Sequence, residues 1–169
     1  SGIYADNTGG VGGAVTIKTA DSTISGGAGN YNIDARGKGG TVSIDTTAGS
    51  LVSNNSGSIS ATVTDGSSVV VKTAAVSAGG GAAISATTAA GNITVETKGA
   101  IKGTASGIVG SITGAGSADI DVYSSVEGDV GNSNGATDRG VSITVATGTI
   151  DINTHAGSSI DGNNTNGLV

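Results

Sequence analysis

The sequence predicts an all-β protein, a right-handed parallel β-helix (β-solenoid) with about six triangular coils of roughly 27 residues and no α-helices. Three observations predict this fold: a recurring aliphatic pair, clusters of small residues between aliphatic groups, and the absence of Phe, Trp, Met, Cys and Pro. Ile, Val and Ala can fill a narrow interior, but not the broad core of an ordinary globular domain.

The aliphatic pair consists of two residues that are two positions apart, and it recurs six times. Its members are Val15, Ile17, Val42, Ile44, Val69, Val71, Ile93, Val95, Ile120, Val122, Ile150 and Ile152. The pairs begin at residues 15, 42, 69, 93, 120 and 150, so the separations of 27, 27, 24, 27 and 30 residues are all multiples of three. A period of two indicates a strand with one buried face. We therefore expect these twelve side chains to form the core.

Two further aliphatic groups complete each copy of the repeat. One group follows the pair, and its members are Ile24, Val52, Val76, Ile101, Val126 and Ile160. The other group precedes the pair, and its members are Ile3, Ile33, Ile59, Ile84, Ile112 and Ile143. Each copy thus has three short strands and three corners, and a single coil gains its core only by stacking on its neighbours. Parallel crossover connections are right-handed by default, which predicts the hand of the coil.

A column of hydroxyl side chains is predicted at one corner of the coil. Most pairs are followed two residues later by Thr, so the alternation points these side chains inward: Thr19, Thr46, Thr73, Thr97, Ser124 and Thr154. Stacked hydroxyls can hydrogen-bond to one another or to turn amides. The column is therefore interpreted as structural.

Charge and composition exclude several classes of partner. The net charge is −6 with only seven Lys and Arg residues, and no basic patch is present, so we expect no nucleic acid partner. The absence of Cys excludes disulfides and thiolate metal sites. The uncharged stretch from Thr73 to Val95 is too rich in Gly, Ser and Thr to span a membrane. No cofactor is predicted.

Two strings of residues suggest a family. The string at residues 2–5, Gly-Ile-Tyr-Ala, and the run from Gly148 to Gly162 resemble passenger domains of bacterial autotransporters. Filamentous-haemagglutinin-type adhesins are similar as well, although the Asn-Pro motif of their N-terminal caps is absent. The resemblance implies a virulence-associated protein that is secreted and presented at the outer membrane by a separate barrel. It also implies adhesion to a host surface or another extracellular ligand.

The domain organisation follows from the same pattern. Residues 1–169 are expected to form a single β-helix segment, excised from a longer passenger because both ends break in mid-pattern. An uncapped end of a solenoid exposes aliphatic core and unpaired strand amides. We therefore expect the segment to self-associate end to end.

An enzyme remains the alternative, because polysaccharide lyases and hydrolases share the β-helix. Such enzymes cluster carboxylates, often with Arg or Lys, and the candidate acids here are Asp119, Asp121, Asp151 and Asp161. Asp121 and Asp151 are predicted to occupy equivalent outward positions on neighbouring coils. Arg36 and Arg139 fall in corners or loops, away from those acids. The alternative reading is thus a fragment of a carbohydrate-active enzyme, while the favoured reading is non-catalytic.

Three further motifs argue against a specialised site. His155, the only histidine, has no Ser or Cys partner in a triad arrangement. The run that begins at Gly26 resembles a calcium-binding nonapeptide but has Tyr31 where Asp is required, so we expect no metal there. An ice-binding face would present a regular array of Thr side chains. The outward positions that follow the second residue of each aliphatic pair are instead mixed, and most are charged: Lys18, Asp45, Lys72, Glu96, Tyr123 and Asn153.

One irregularity interrupts the repeat in the fifth coil. Residues 127–140 form an excursion between two aliphatic groups, and insertions in solenoids lie in surface loops. The residues predicted to contact a ligand in this loop are Asp129, Asn132, Asn134, Asp138 and Arg139.

Overall fold

A computed structural model of the chain describes residues 1–10, 12–27, 29–53, 57–131 and 138–162, with the backbone alone for residues 50–53. The described part is all-β and contains no helix, and hence none long and apolar enough to cross a membrane. Its strands are β1 (Ile3–Asn7), β2 (Val15–Gly26), β3 (Ile33–Gly37), β4 (Val42–Ser53), β5 (Ile59–Val63), β6 (Val69–Thr73), β7 (Val76–Ser77), β8 (Ile84–Thr88), β9 (Ile93–Thr97), β10 (Ile101–Lys102), β11 (Ile108–Ala115), β12 (Ala118–Val122), β13 (Ser125–Glu127), β14 (Val141–Thr147), β15 (Ile150–Thr154) and β16 (Ser159–Asp161).

The strands form a parallel β-solenoid with three faces. The first face is the six-stranded sheet β1-β3-β5-β8-β11-β14. The other two faces belong to one ten-stranded sheet, because the long strands β2 and β4 bend around the corner between them. Register shifts after Lys18 and after Ala20 mark that corner in the pairing of β2 with β4. The predicted fold class is therefore confirmed.

Each face is six strands deep, and we call each level of the stack a rung. Within the described residues, the four inner rungs pair on both sides, whereas the first and last rungs pair on one side only. The solenoid thus has about four turns that are covered on both sides, slightly fewer than the number of coils predicted.

The core is a set of stacked columns of aliphatic side chains. On the second face, Val42, Val69 and Ile93 stack in register and are fully buried. On the first face, Ala35 and Ala61 are fully buried in the middle of β3 and β5. These narrow columns explain why the sequence needs no aromatic core residue.

The fifth rung differs from the sequence prediction. Ala118 and Ile120 lie beside Ile93 and Val95, so the predicted pair of Ile120 with Val122 is displaced by two residues. The pair therefore begins at residue 118, and the last two separations become 25 and 32 residues. The prediction that all separations between successive pairs are multiples of three residues is therefore wrong. Ile120 and Val122 are nevertheless fully buried, because a shift of two residues keeps the same face inward.

The hydroxyl column is confirmed in its central part. Thr46, Thr73 and Thr97 are fully buried and in register, and the Thr46 hydroxyl donates a hydrogen bond to Oγ1 of Thr73 over 2.8 Å. In the fifth rung Val122 occupies the column, so the assignment of Ser124 is wrong. An aliphatic residue therefore fits this position as well as a threonine.

The end rungs depart from the predicted burial. Ile150 is 49% exposed and Ile152 is half-buried, because no described strand covers the last rung. Thr154 in the same rung is exposed. In the first rung Thr19 is half-buried, and its hydroxyl oxygen is buried without a hydrogen-bond partner. The predicted core position is thus wrong for Ile150.

Register also corrects the two flanking aliphatic groups. Leu51, rather than Val52, pairs with Ile24 and Val76. On the first face the fifth and sixth members are Ile108 and Val141, which replace the predicted residues 112 and 143. These errors are steps of one residue on the third face and of four and two residues on the first face.

Candidate functional site

The excursion is the only large insertion that the sequence predicted, and the structure describes its two arms. We define the neck as residues 127–131 and 138–140; Asn132 and Asn134, which were predicted to contact a ligand, lie outside the described residues. The amide of Gly128 donates to the carbonyl of Asp161 over 2.9 Å, and the amide of Gly107 donates to the carbonyl of Arg139 over 3.0 Å. The neck is therefore tied by backbone hydrogen bonds to the rungs on both sides.

The two arms of the neck run against each other. A Cβ atom added to Gly128 would lie 2.3 Å from the carbonyl oxygen of Arg139, so only glycine fits there. Asp129 follows Gly128 with a φ of 57°, in the left-handed region that Asp tolerates better than most residues. The amide of Asp129 donates to the carbonyl of Ala105 over 3.3 Å.

The predicted loop residues that the structure describes carry buried polar atoms. Asp129 is 6% exposed, and its Oδ1 atom is buried without a hydrogen-bond partner. Oδ2 of Asp138 and Nε of Arg139 are likewise buried without a hydrogen-bond partner. The Nη1 atom of Arg139 donates to Oγ of Ser142 over 3.4 Å. The neck thus encloses both acceptors and a donor, and it does not project these side chains freely into solvent.

A second cluster lies on the outward side of the second face. Glu96 accepts from Nζ of Lys98 at 2.6 Å and from Nζ of Lys72 at 2.9 Å. These hydrogen bonds, first that of Lys98 and then that of Lys72, lower the pKa of Glu96. Hydrogen bonding to Glu96 raises the pKa of both lysines. Lys72 and Glu96 of this column therefore pair across rungs, as expected for strand neighbours.

An aromatic stack continues this cluster toward the last rung. Tyr123 and His155 stack with ring centroids 3.7 Å apart, and Nζ of Lys98 lies 3.4 Å from the centroid of Tyr123. Nε2 of His155 lies 3.0 Å from Oδ1 of Asp121. The sequence predicts no catalytic Ser or Cys partner for His155, and the structure half-buries its ring against Tyr123 and Asp121. The sequence does not predict these contacts, because it places the fifth rung in the wrong register.

The candidate acids are arranged differently from the prediction. Asp119, rather than Asp121, lies beside Asp151, and Asp121 lies between Glu96 and Asn153. The pKa of Asp119 is raised, first by burial and then by the charges of Asp121 and Asp151. Within the described ranges, no group of three or more acidic or histidine side chains is placed to hold a metal ion.

An ion pair and a hydrogen bond near the first rung were not anticipated. Nη2 of Arg36 donates to Oδ2 of Asp34 over 2.8 Å, and the hydroxyl of Tyr4 donates to Oδ2 of Asp6 over the same distance. Each pair is two residues apart on one strand, so both side chains lie on the same face. That spacing is the signal in the sequence that could have predicted them.

Known proteins offer no identification for this arrangement. Comparisons of the chain with protein-family models, with curated proteins and with solved structures find no match.

Proposed function

We propose that the chain is a non-catalytic scaffold of a secreted bacterial surface protein, which presents a surface loop to a host or other extracellular ligand. The observation that carries the proposal is the way in which the stack of strands accommodates the excursion. Strands β13 and β14 flank it in the chain, yet β13 pairs in parallel with β10 and β16 on either side, and β14 pairs in parallel with β11 from Val141 and Ile108 onward. The stack thus continues across the insertion, as it does where solenoids display loops.

The outward surface supports the same proposal. Several charged groups of the second face are engaged with one another, as Glu96 is with Lys72 and Lys98. Asp121 is likewise engaged with His155, which Tyr123 stacks against. Side chains that bind each other in this way stabilise the rungs, and they are not arranged around a substrate. A role for this face in holding the scaffold together therefore accounts for its contacts.

Adhesion is tested by display of the chain on a non-adherent bacterium. We expect display to raise binding to cultured epithelial cells or to immobilised extracellular matrix. Replacement of residues 132–137 by a Gly-Ser linker of equal length should remove that binding and leave the circular dichroism spectrum unchanged. The matched control, Lys72→Ser, alters the second face and should retain binding. Binding that is absent, or that survives the loop replacement, contradicts the proposal.

Non-catalysis is tested by incubation with acidic and neutral polysaccharides. We expect no release of reducing or unsaturated ends above the buffer blank, with or without calcium. A cleavage rate that falls in Asp121→Asn or in His155→Ala would make the chain a carbohydrate-active enzyme.

A further inference from the structure

Unpartnered polar atoms are concentrated at the neck of the excursion. Four buried side-chain polar atoms in the described residues have no hydrogen-bond partner, and three of them belong to Asp129, Asp138 and Arg139. The fourth belongs to Thr19 in the first rung. Buried polar groups in proteins almost always have a partner, and the two carboxylate oxygens among these atoms are acceptors that a bound cation would satisfy.

The carboxylate of Asp129 is the strongest indication. The residue is 6% exposed, and none of the ion pairs among the described residues includes it. A carboxylate taken out of water without a counter-charge is strongly disfavoured. The site therefore calls for a positive charge beside Asp129.

Arg139 does not supply that charge in the structure. Its Nη1 atom donates to Oγ of Ser142, on strand β14. No ion pair among the described residues joins it to Asp129 or to Asp138. The two buried carboxylate oxygens are thus left for another cation.

The backbone brings the arms that carry Asp129 and Asp138 together at the neck. Gly128 and Arg139 are in contact at the neck, with 2.3 Å from an added Cβ to the Arg139 carbonyl oxygen. Asp129 follows Gly128, and Asp138 precedes Arg139, so both acids flank that contact from opposite arms. Two acidic residues on facing arms can bind one ion between them.

We propose that the neck binds a calcium ion through the carboxylates of Asp129 and Asp138, with backbone carbonyls and water as the remaining ligands. Calcium accepts six to eight oxygen ligands in irregular geometry, whereas magnesium requires a near-ideal octahedron. Two carboxylates are few, so the dissociation constant should lie on the order of 0.1–1 mM, as in extracellular calcium modules. The inference does not depend on the proposed adhesive function.

Calcium alone is the probe in the test. Titration calorimetry with calcium chloride should show one binding event for the wild-type chain, and calcium should raise its melting temperature above that in sodium chloride of equal ionic strength. Asp129→Asn and Asp138→Asn should each weaken binding by roughly tenfold or more, because affinity follows the charge of the ligands. Asn preserves the size of each side chain and tolerates the left-handed backbone at residue 129.

The matched control is Asp21→Asn. Asp21 also has a positive φ, 45°, but it is exposed in the first rung, so this variant removes the same charge without altering the neck. It should bind calcium like the wild type. Absence of calcium binding, or binding that is unchanged in Asp129→Asn and Asp138→Asn, overturns the proposal. A melting temperature that responds equally to magnesium overturns the choice of ion.

Discussion

The imidazole of His155 stacks on the ring of Tyr123, with ring centroids 3.7 Å apart and ring planes 6° from parallel. His155 lies one rung after Tyr123, and Lys98 lies one rung before it, with Nζ 3.4 Å from the Tyr123 centroid. The backbone holds the same order, because the amide of His155 donates to the carbonyl of Val122. Tyr123 therefore stabilises the last rung, which has only one neighbouring rung among the described residues.

We expect Tyr123→Ala to lower the free energy of unfolding by about 1 kcal/mol, because stacked aromatic pairs contribute about 0.5–1.5 kcal/mol beyond their buried area. The loss should be confined to the last rungs and should appear as faster amide hydrogen exchange in β15 and β16. Tyr4→Ala is the control, since Tyr4 is 57% exposed and in the first rung, so exchange in β15 should not change. Equal exchange rates in wild type and Tyr123→Ala would contradict the role of Tyr123 in stabilising the last rung.

Ile44→Asp should unfold the segment or the rungs beside it. Ile44 is fully buried, and an unpaired carboxylate there costs several kcal/mol, a large share of the stability of a domain. The same substitution at Ile150, which is 49% exposed, should cost much less. Urea unfolding of the two variants gives the comparison. Similar midpoints for Ile44→Asp and the wild type would contradict the inward position of the column.

The Thr46–Thr73 hydrogen bond predicts non-additive mutations. Thr46→Val leaves the buried Thr73 hydroxyl without its donor, which should cost about 1–3 kcal/mol. The double variant Thr46→Val/Thr73→Val should be close to the wild type in stability, because Val122 already occupies this column in the fifth rung. Chemical denaturation of both single variants and the double variant tests the coupling. A double variant that loses the sum of the single effects would contradict it.

Glu96 should make the fold sensitive to acid. Hydrogen bonds from Lys98 and Lys72 lower its pKa in the folded chain, so its contribution to stability is present above the unfolded pKa, about 4.3. That contribution is lost as the pH falls from there through the folded pKa. Glu96→Gln should therefore lower the melting temperature at pH 7, and the difference from wild type should shrink as the pH falls below the unfolded pKa and vanish below the folded pKa. A difference that is independent of pH would exclude the ion pairs as its cause.

The alternation of aliphatic residues made most of the fold predictable. Val42 and Ile44 lie two residues apart, and so do their neighbours on the next rung, which fixes both the strand and its inward face. The fifth rung was misassigned because Ala118 is too small to be counted as an aliphatic member of the pair. A slip of two residues preserves the inward face, so the pattern contains no signal against it.

The clusters were less predictable, because they depend on contacts between rungs. With the fifth rung displaced, Tyr123 was placed beside Glu96, whereas Asp121 lies there in the structure. The pairing of Asp121 with His155 across one rung was missed for the same reason. At the neck, the sequence predicted an insertion, but the burial of Asp129 is not encoded in any local pattern.

Cysteine cross-linking across the fifth rung tests the register of the stack most directly, since the chain has no cysteine of its own. Thr94 lies beside Asp119 in the structure, whereas the sequence pattern alone places it beside Asp121. Neighbouring Cα atoms in paired strands are close enough for a disulfide, which requires about 4.4–6.8 Å. Thr94→Cys/Asp119→Cys should therefore oxidise rapidly and completely, and Thr94→Cys/Asp121→Cys slowly or not at all. Rapid oxidation of the second variant, or of neither, would contradict the parallel register on which this account of the solenoid rests.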